Sequence, residues 1–199
     1  MLNGSESTNT RHASALQRGA TALALLLTLA CARPTSAADD APVGARAGLE
    51  IATAAAQSWA SDAVLVYLEN DETLTPGGAA PRWGYLFYSA SGQRARGYSV
   101  REGRVVTASN LDMKFEAPPV AAGWIDSDAA IAAAANEAGK VFKQQPGCLL
   151  SSMLLMRGAF DEEHPDRTTW TLVYTAPNQP SLFVVVDAAA AKVRRTWRG

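Results

Sequence analysis

The chain has 199 residues, 18 basic against 19 acidic, with 48% hydrophobic and 8% aromatic side chains. That balance excludes an intrinsically disordered protein, which lacks the apolar residues to fill a core. A formal net charge of -1 gives no overall basic field for phosphate backbones or anionic lipid, because both need clustered Lys and Arg, so nucleic acid is not expected as a partner.

In chain order the first signal is one of export. Arg11 and Arg18 precede an uncharged run from Gly19 to Ala32 centred on Leu23-Ala24-Leu25-Leu26-Leu27, the charged end and apolar core of a signal peptide. The run is shorter than the roughly 20 residues needed to cross a hydrocarbon core, so no membrane span is expected. Two processing routes fit. Thr35 and Ala37 supply small residues for cleavage after Ala37, and Leu27-Thr28-Leu29-Ala30-Cys31 offers lipid attachment at Cys31 as the alternative. The location read from this is periplasmic or secreted, or, with lipid, anchored to a membrane surface. Either route leaves Cys148 as the one cysteine outside the export segment, with no internal disulfide. Residues 38–199 must then be held by their own core, and a chain of that length buries about 70% of its unfolded surface.

Asp39 to Gly44 reads as a polar tether, after which Leu49, Ala52, Thr53, Ala56 and Trp59 fall on one helical stripe. Ala63 to Leu68 is a β-branched and aromatic run that predicts a strand, ended by Asn70-Asp71 and the Pro76-Gly77-Gly78 turn cluster. Strands follow over Trp83 to Ser89, Gly97 to Val100 and Arg104 to Ser109, the last two joined at Arg101-Glu102-Gly103. Pro118-Pro119 marks an extended connector with Met113 and Phe115 as its expected buried anchors.

The second half repeats that order. Asp126-Ser127-Asp128 offers helix caps, and Ile131, Ala135, Ala138 and Phe142 make an apolar stripe stopping before Pro146-Gly147. Strands are expected over Leu149 to Met156, Thr168 to Thr175, Ser181 to Asp187 and Lys192 to Trp197, with a charged loop from Asp161 to Arg167. Trp83 and Trp170 open equivalent strands, Val100 and Val186 close the next, and Arg104-Val105 and Lys192-Val193 open the last. The expected fold is therefore α+β, two tandem units of one helix packed on an antiparallel sheet of about four strands. Its divisions are 1–37 signal peptide, 38–47 tether, 48–110 first unit, 111–125 connector and 126–199 second unit.

The stretch Val186-Asp187-Ala188-Ala189-Ala190-Ala191-Lys192-Val193 resembles the C-terminal hairpin of PepSY-like families, which reads Val-Asp-Ala, any residue, Thr-Gly-Lys-Val. The resemblance implies a helix packed on an antiparallel sheet, and it covers Trp170 to Val193 best. Ala190-Ala191 stands where those families carry Thr-Gly, so the glycine suited to positive φ is missing and a wider or different loop is expected. The layout is also similar to that of exported β-lactamase inhibitory proteins, which bind proteins through a sheet face.

Alternation places Trp83, Tyr85 and Phe87, with Trp170, Leu172 and Tyr174, on the helix-packed side of the sheets. The repeated positions of Trp83 and Trp170 favour core packing for both. The opposite face carries Leu86, Tyr88 and Val173, and Leu182 to Val186 is apolar on both sides, so the second face is either covered by the connector, with Leu111, Met113, Phe115 and Trp124 supplying bulk, or is a contact surface. Leu86, Tyr88 and Val173 are the candidate protein-binding residues.

Catalysis finds few candidates. His12 lies in the export segment, leaving His164, and no nucleophile elbow, His-Glu-x-x-His or phosphate-cradling Gly-Lys loop occurs. The run Asp161-Glu162-Glu163-His164-Pro165-Asp166 has metal-ligand chemistry, but consecutive acids in an extended chain point apart and read as a solvated loop. No enzyme, metal or cofactor is expected. The expected role is an exported non-catalytic binding or regulatory module for another envelope or extracellular protein. The alternative is a carrier holding a small apolar ligand between helix and sheet.

Overall fold

The computed structural model describes residues 41–111, 117–135, 142, 144–160 and 163–199. The described residues fall within one compact unit. Helix α1 (Leu49–Trp59) is followed by β1 (Val64–Asn70), β2 (Arg82–Ser89), β3 (Arg94–Arg101) and β4 (Arg104–Leu111). Helix α2 (Ser127–Ala135) then precedes β5 (Leu149–Arg157), β6 (Thr168–Thr175), β7 (Leu182–Asp187) and β8 (Lys192–Arg198). Ala138, Met113, Phe115, Asp161 and Glu162, and the export features at Cys31 and Ala37, lie outside the described residues.

The expectation of two tandem helix-on-sheet units is corrected by the strand order. All eight strands form one antiparallel sheet, ordered β4-β3-β2-β1-β5-β6-β7-β8, so the fold is a single sheet-rich one carrying two short helices. The join is the β1–β5 ladder, where Tyr67 pairs with Met156, Leu68 with Leu155 and Glu69 with Leu154. Asn70 extends it, its side-chain oxygen accepting the Met153 N–H at 2.7 Å. The physical reason is that two separate four-stranded sheets would each leave β1 and β5 with a row of unpaired backbone donors and acceptors, and pairing those two edges satisfies both.

The core is continuous across that join. Trp83, Tyr85 and Phe87 from β2 cluster with Leu68, Met153, Leu155, Trp170, Leu172, Tyr174 and Val184. Ala52 and Ala56 of α1 and Ala130 and Ala134 of α2 belong to the same cluster, so both helices cover the same face of the sheet. Their alanines let the helix backbones come close to the large rings. The segments leading into the helices are tied together: the Ala45 N–H donates to Ser127 Oγ at 3.2 Å, the Arg46 N–H donates to Asp126 Oδ1 at 3.1 Å, and the Arg46 guanidinium reaches the Trp124 carbonyl. Trp124 is thereby on the helix side, edge-on to Trp170 at 5.8 Å, and does not cover the other face.

The 188–191 turn closes without a glycine. Ala191 itself adopts φ +51°, where a glycine would be unstrained. Asp187 holds it in place, its carboxylate accepting the N–H groups of Ala189 and Ala190 at 2.9 and 3.0 Å and its carbonyl accepting that of Ala191 at 3.0 Å.

Candidate functional site

Neither helix packs on the second face of the sheet, and the three residues expected to mark it occupy different settings there. Tyr88 is buried, 7% exposed, in a small cluster with Val66 and Ala95 that Tyr67, Leu86 and Ala117 flank. Leu86 and Val173 are half-buried. β2 and β6 are three strand positions apart in the sheet, about 14 Å at the usual spacing, so Leu86 and Val173 are not neighbours on this face. Around β6 and β7 this face is partly closed by its own chain: the Thr169 hydroxyl donates to the Ala159 carbonyl at 3.3 Å, and Val185 and Thr171 are buried. Phe183 stacks on Trp197 at 4.8 Å, and Phe160 packs on the same indole at 5.3 Å.

Between β1 and β4 the face is dented. Gly84 and Gly97 sit in adjacent strands, Leu86 pairs with Gly97, and Glu69 pairs with Gly84. Two strand residues without side chains leave a depression of about 180 Å³ walled by Tyr67, Leu86 and Leu111, with Glu69 and Asp71 at one end. A Cβ at Gly97 would meet nothing within 4 Å, whereas a Cβ at Gly84 would come within 2.6 Å of Asp71 Oδ1. Gly84 is therefore required by the carboxylate lying over it. Gly97 is open floor.

The two carboxylates are in different states. Asp71 accepts from the Ser99 hydroxyl and lies 3.6 Å from the Arg82 guanidinium, while Glu72 pairs with Arg82 and Arg101. Glu69 accepts the Tyr67 hydroxyl at 2.6 Å and makes no ion pair among the described residues. Burial, the Glu69 hydrogen bond and the charges of Glu69 and Asp71 all push the Tyr67 phenol well above its usual range, so Tyr67 stays a neutral donor to Glu69. The site is an apolar trough ending in an uncompensated carboxylate. Its chemistry suits a long side chain with an apolar stem and a cationic tip.

Other concave regions are differently built. A cleft of about 360 Å³ lies beside the start of α1, lined by Val43, Ala47, Gly48, Trp83, Tyr85 and Val100. Trp83 and Tyr85 are each only 1% exposed there, and their polar tips are satisfied by the Val43 and Ala45 carbonyls at 2.9 and 2.7 Å. Among the described residues no three His, Cys, Asp or Glu side chains gather as a metal site. His164 is exposed in the β5–β6 loop. Cys148 is half-buried against the core.

Leu86 is the one predicted residue that lines the trough. From the sequence Glu69, Asp71 and Glu72 read as a loop at a strand end, whereas Glu69 lies within β1; Tyr67 and the two glycines were missed, although glycine inside two neighbouring strand patterns is itself the signal of a dent or a close approach.

No helix among the described residues is long and apolar enough to cross a membrane. No family model matches the chain, and no curated protein matches it. Among solved structures it is similar in fold to a protein of Clostridium difficile 630 described as a proposed lipoprotein, with a TM-score of 0.51 and 13% identity over 80% of this chain and 94% of that one.

Proposed function

We propose that the chain is an exported, non-catalytic binding module that receives a basic side chain of another exported protein in the trough between β1 and β4. The observation that carries this reading is the pairing of an open glycine floor at Gly97 with Glu69, a carboxylate whose only partner among the described residues is a tyrosine hydroxyl. Burying that carboxylate under a partner without a cation would be unfavourable, and a Lys or Arg tip removes the penalty while its stem packs on Leu86 and Leu111. Export is supported by the charged and apolar N-terminal segment. The description of the fold neighbour as a lipoprotein favours Cys31 lipidation, the alternative to cleavage after Ala37. The hairpin at 186–193 keeps a PepSY-like kinship within this proposal.

The test is in-cell cross-linking from a photoreactive residue at Leu111, comparing wild type with Gly97→Val, which fills the floor, and Glu69→Gln, which keeps the Tyr67 hydrogen bond and removes the charge. One adduct present in wild type, lost in both variants, and lost again when a basic residue of the captured protein is neutralised supports the reading. An adduct pattern indifferent to both variants sinks it. A second reading, carriage of a small apolar ligand, is favoured only by the cleft beside α1, and native mass spectrometry of protein purified from its own envelope checks it by whether a bound mass survives.

A further inference from the structure

The overall charge of the chain is close to balanced, yet its cations are not evenly spread. β8 is an edge of the sheet, and four of its seven residues, Lys192, Arg194, Arg195 and Arg198, are cationic. Lys192, Arg195 and Arg198 have no carboxylate partner among the described residues. Two of them lie on aromatic rings instead: the Arg195 guanidinium sits 5.3 Å from the Trp197 ring centre, and that of Arg198 sits 5.0 Å from Phe142. The opposite edge strand, β4, has a single cation, Arg104, and Glu102 pairs with it at 2.7 Å. A charged edge discourages strand-to-strand aggregation, but one charge is enough for that purpose. Three cations without a carboxylate partner beside a half-exposed tryptophan are the composition that settles at an anionic lipid interface, with cations at the headgroup phosphates and the indole at the boundary.

We propose that the β8 edge rests on an anionic phospholipid surface through Lys192, Arg195 and Arg198, with Trp197 at the interface. The surface is separate from the trough, which lies toward the other end of the strand order, so either assignment can fail without the other. Each cation brought near such a surface contributes about a fivefold gain in partitioning, which fades as salt screens it.

The experiment is co-sedimentation of the unlipidated Thr35–Gly199 unit with vesicles of phosphatidylcholine alone and of phosphatidylcholine mixed with phosphatidylglycerol. Expected is binding to the mixed vesicles only, weakened by salt and reduced about fivefold by Lys192→Gln or Arg195→Gln. Arg195→Lys, which keeps the charge, should retain most of the binding, and Arg104→Gln on the other edge should leave it unchanged. Lys192 and Arg195 are exposed, and a thermal melt confirms that each variant folds. The proposal is overturned by absence of binding at low salt, by equal binding to both vesicle types, or by indifference to the β8 substitutions. Binding to heparin but not to vesicles also overturns it and assigns the edge to a soluble polyanion.

Discussion

Trp83 and Trp170 meet edge to face across the middle of the molecule, ring centres 6.3 Å apart and planes at 72°. Each indole N–H donates to a carbonyl of the segment entering a helix, Val43 for Trp83 and Ile125 for Trp170, at 2.9 and 2.8 Å. One pair of side chains thus joins both halves of the sheet and fixes how both helices approach it.

Truncating either ring removes the shared centre of the core. Trp170→Ala is expected to lower stability by about 3–5 kcal/mol, and a double-mutant cycle with Trp83→Ala should show a coupling of about 0.5–1.5 kcal/mol. Urea unfolding followed by probes in β2 and β7 should give one coincident transition. Two transitions with separate midpoints would contradict a common core.

The two glycines of the trough should respond in opposite ways. Gly84→Ala forces its new carbon against Asp71 at 2.6 Å and should destabilise by about 1–3 kcal/mol. Gly97→Val enters open space and replaces a poor strand former with a good one, so it should be neutral or stabilising by up to about 1 kcal/mol. Chemical denaturation of the two variants settles this, and a loss at Gly97 as large as at Gly84 would disprove the geometry.

Ala191→Gly should stabilise the protein. The left-handed backbone at φ +51° strains an alanine by about 1–2 kcal/mol, and the extra freedom of glycine in the unfolded chain offsets part of that, leaving a gain of about 0.5–1 kcal/mol. A fall in melting temperature for this variant would refute the turn geometry.

Asp62 gives a pH signature. The Ser89 hydroxyl and the Ser91 N–H donate to its carboxylate at 2.7 and 2.8 Å, and these bonds, the hydroxyl first, hold its pKa down to about 2 from an ordinary 3.8. Because the folded value is depressed, the stabilisation is present above the unfolded pKa and is lost as pH falls through the folded one. The stability difference between wild type and Asp62→Asn should therefore be constant above about pH 5 and shrink toward pH 2. Urea titrations across that window measure it, and a difference that persists undiminished at pH 2 would rule the carboxylate out as its source.

Asn70 closes the end of the seam between β1 and β5. Its oxygen accepts the Met153 N–H and its nitrogen donates to the Glu72 carbonyl at 3.0 Å. Asn70→Ala leaves both backbone groups unsatisfied and should destabilise by about 1–3 kcal/mol. Hydrogen exchange should report faster opening at Met153 before any change at Val184. Uniform acceleration across the sheet would point to a global effect.

The elements themselves were legible because their signals are local. Leu49, Ala52 and Ala56 at helical spacing predicted α1, and alternation around Trp83 and Trp170 placed the correct faces toward the core. The seam was not legible, because the pairing of Leu68 with Leu155 leaves no short-range pattern and either strand reads equally well as an open edge. Tyr88 alternates correctly onto the second face, but the packing of Ala117 against its cluster depends on where a Pro-rich connector returns. The β8 charge row was in plain view as Lys192-Val193-Arg194-Arg195-Thr196-Trp197-Arg198, and an overall sum near zero hid it.

The seam also sets the order in which the molecule can assemble. Every other pair of neighbouring strands is adjacent in sequence, so each four-strand meander can form by short hairpin closures on the microsecond scale. Tyr67 and Met156 are some 90 residues apart, and their ladder forms only after that long loop is closed against its entropy. Until it does, β1 and β5 are bare edges beside exposed core tryptophans. This interval is when the chain is most open to pairing with another copy of itself, so a lesion at Asn70 or Leu155 should lower yield by aggregation more than its equilibrium effect alone would predict.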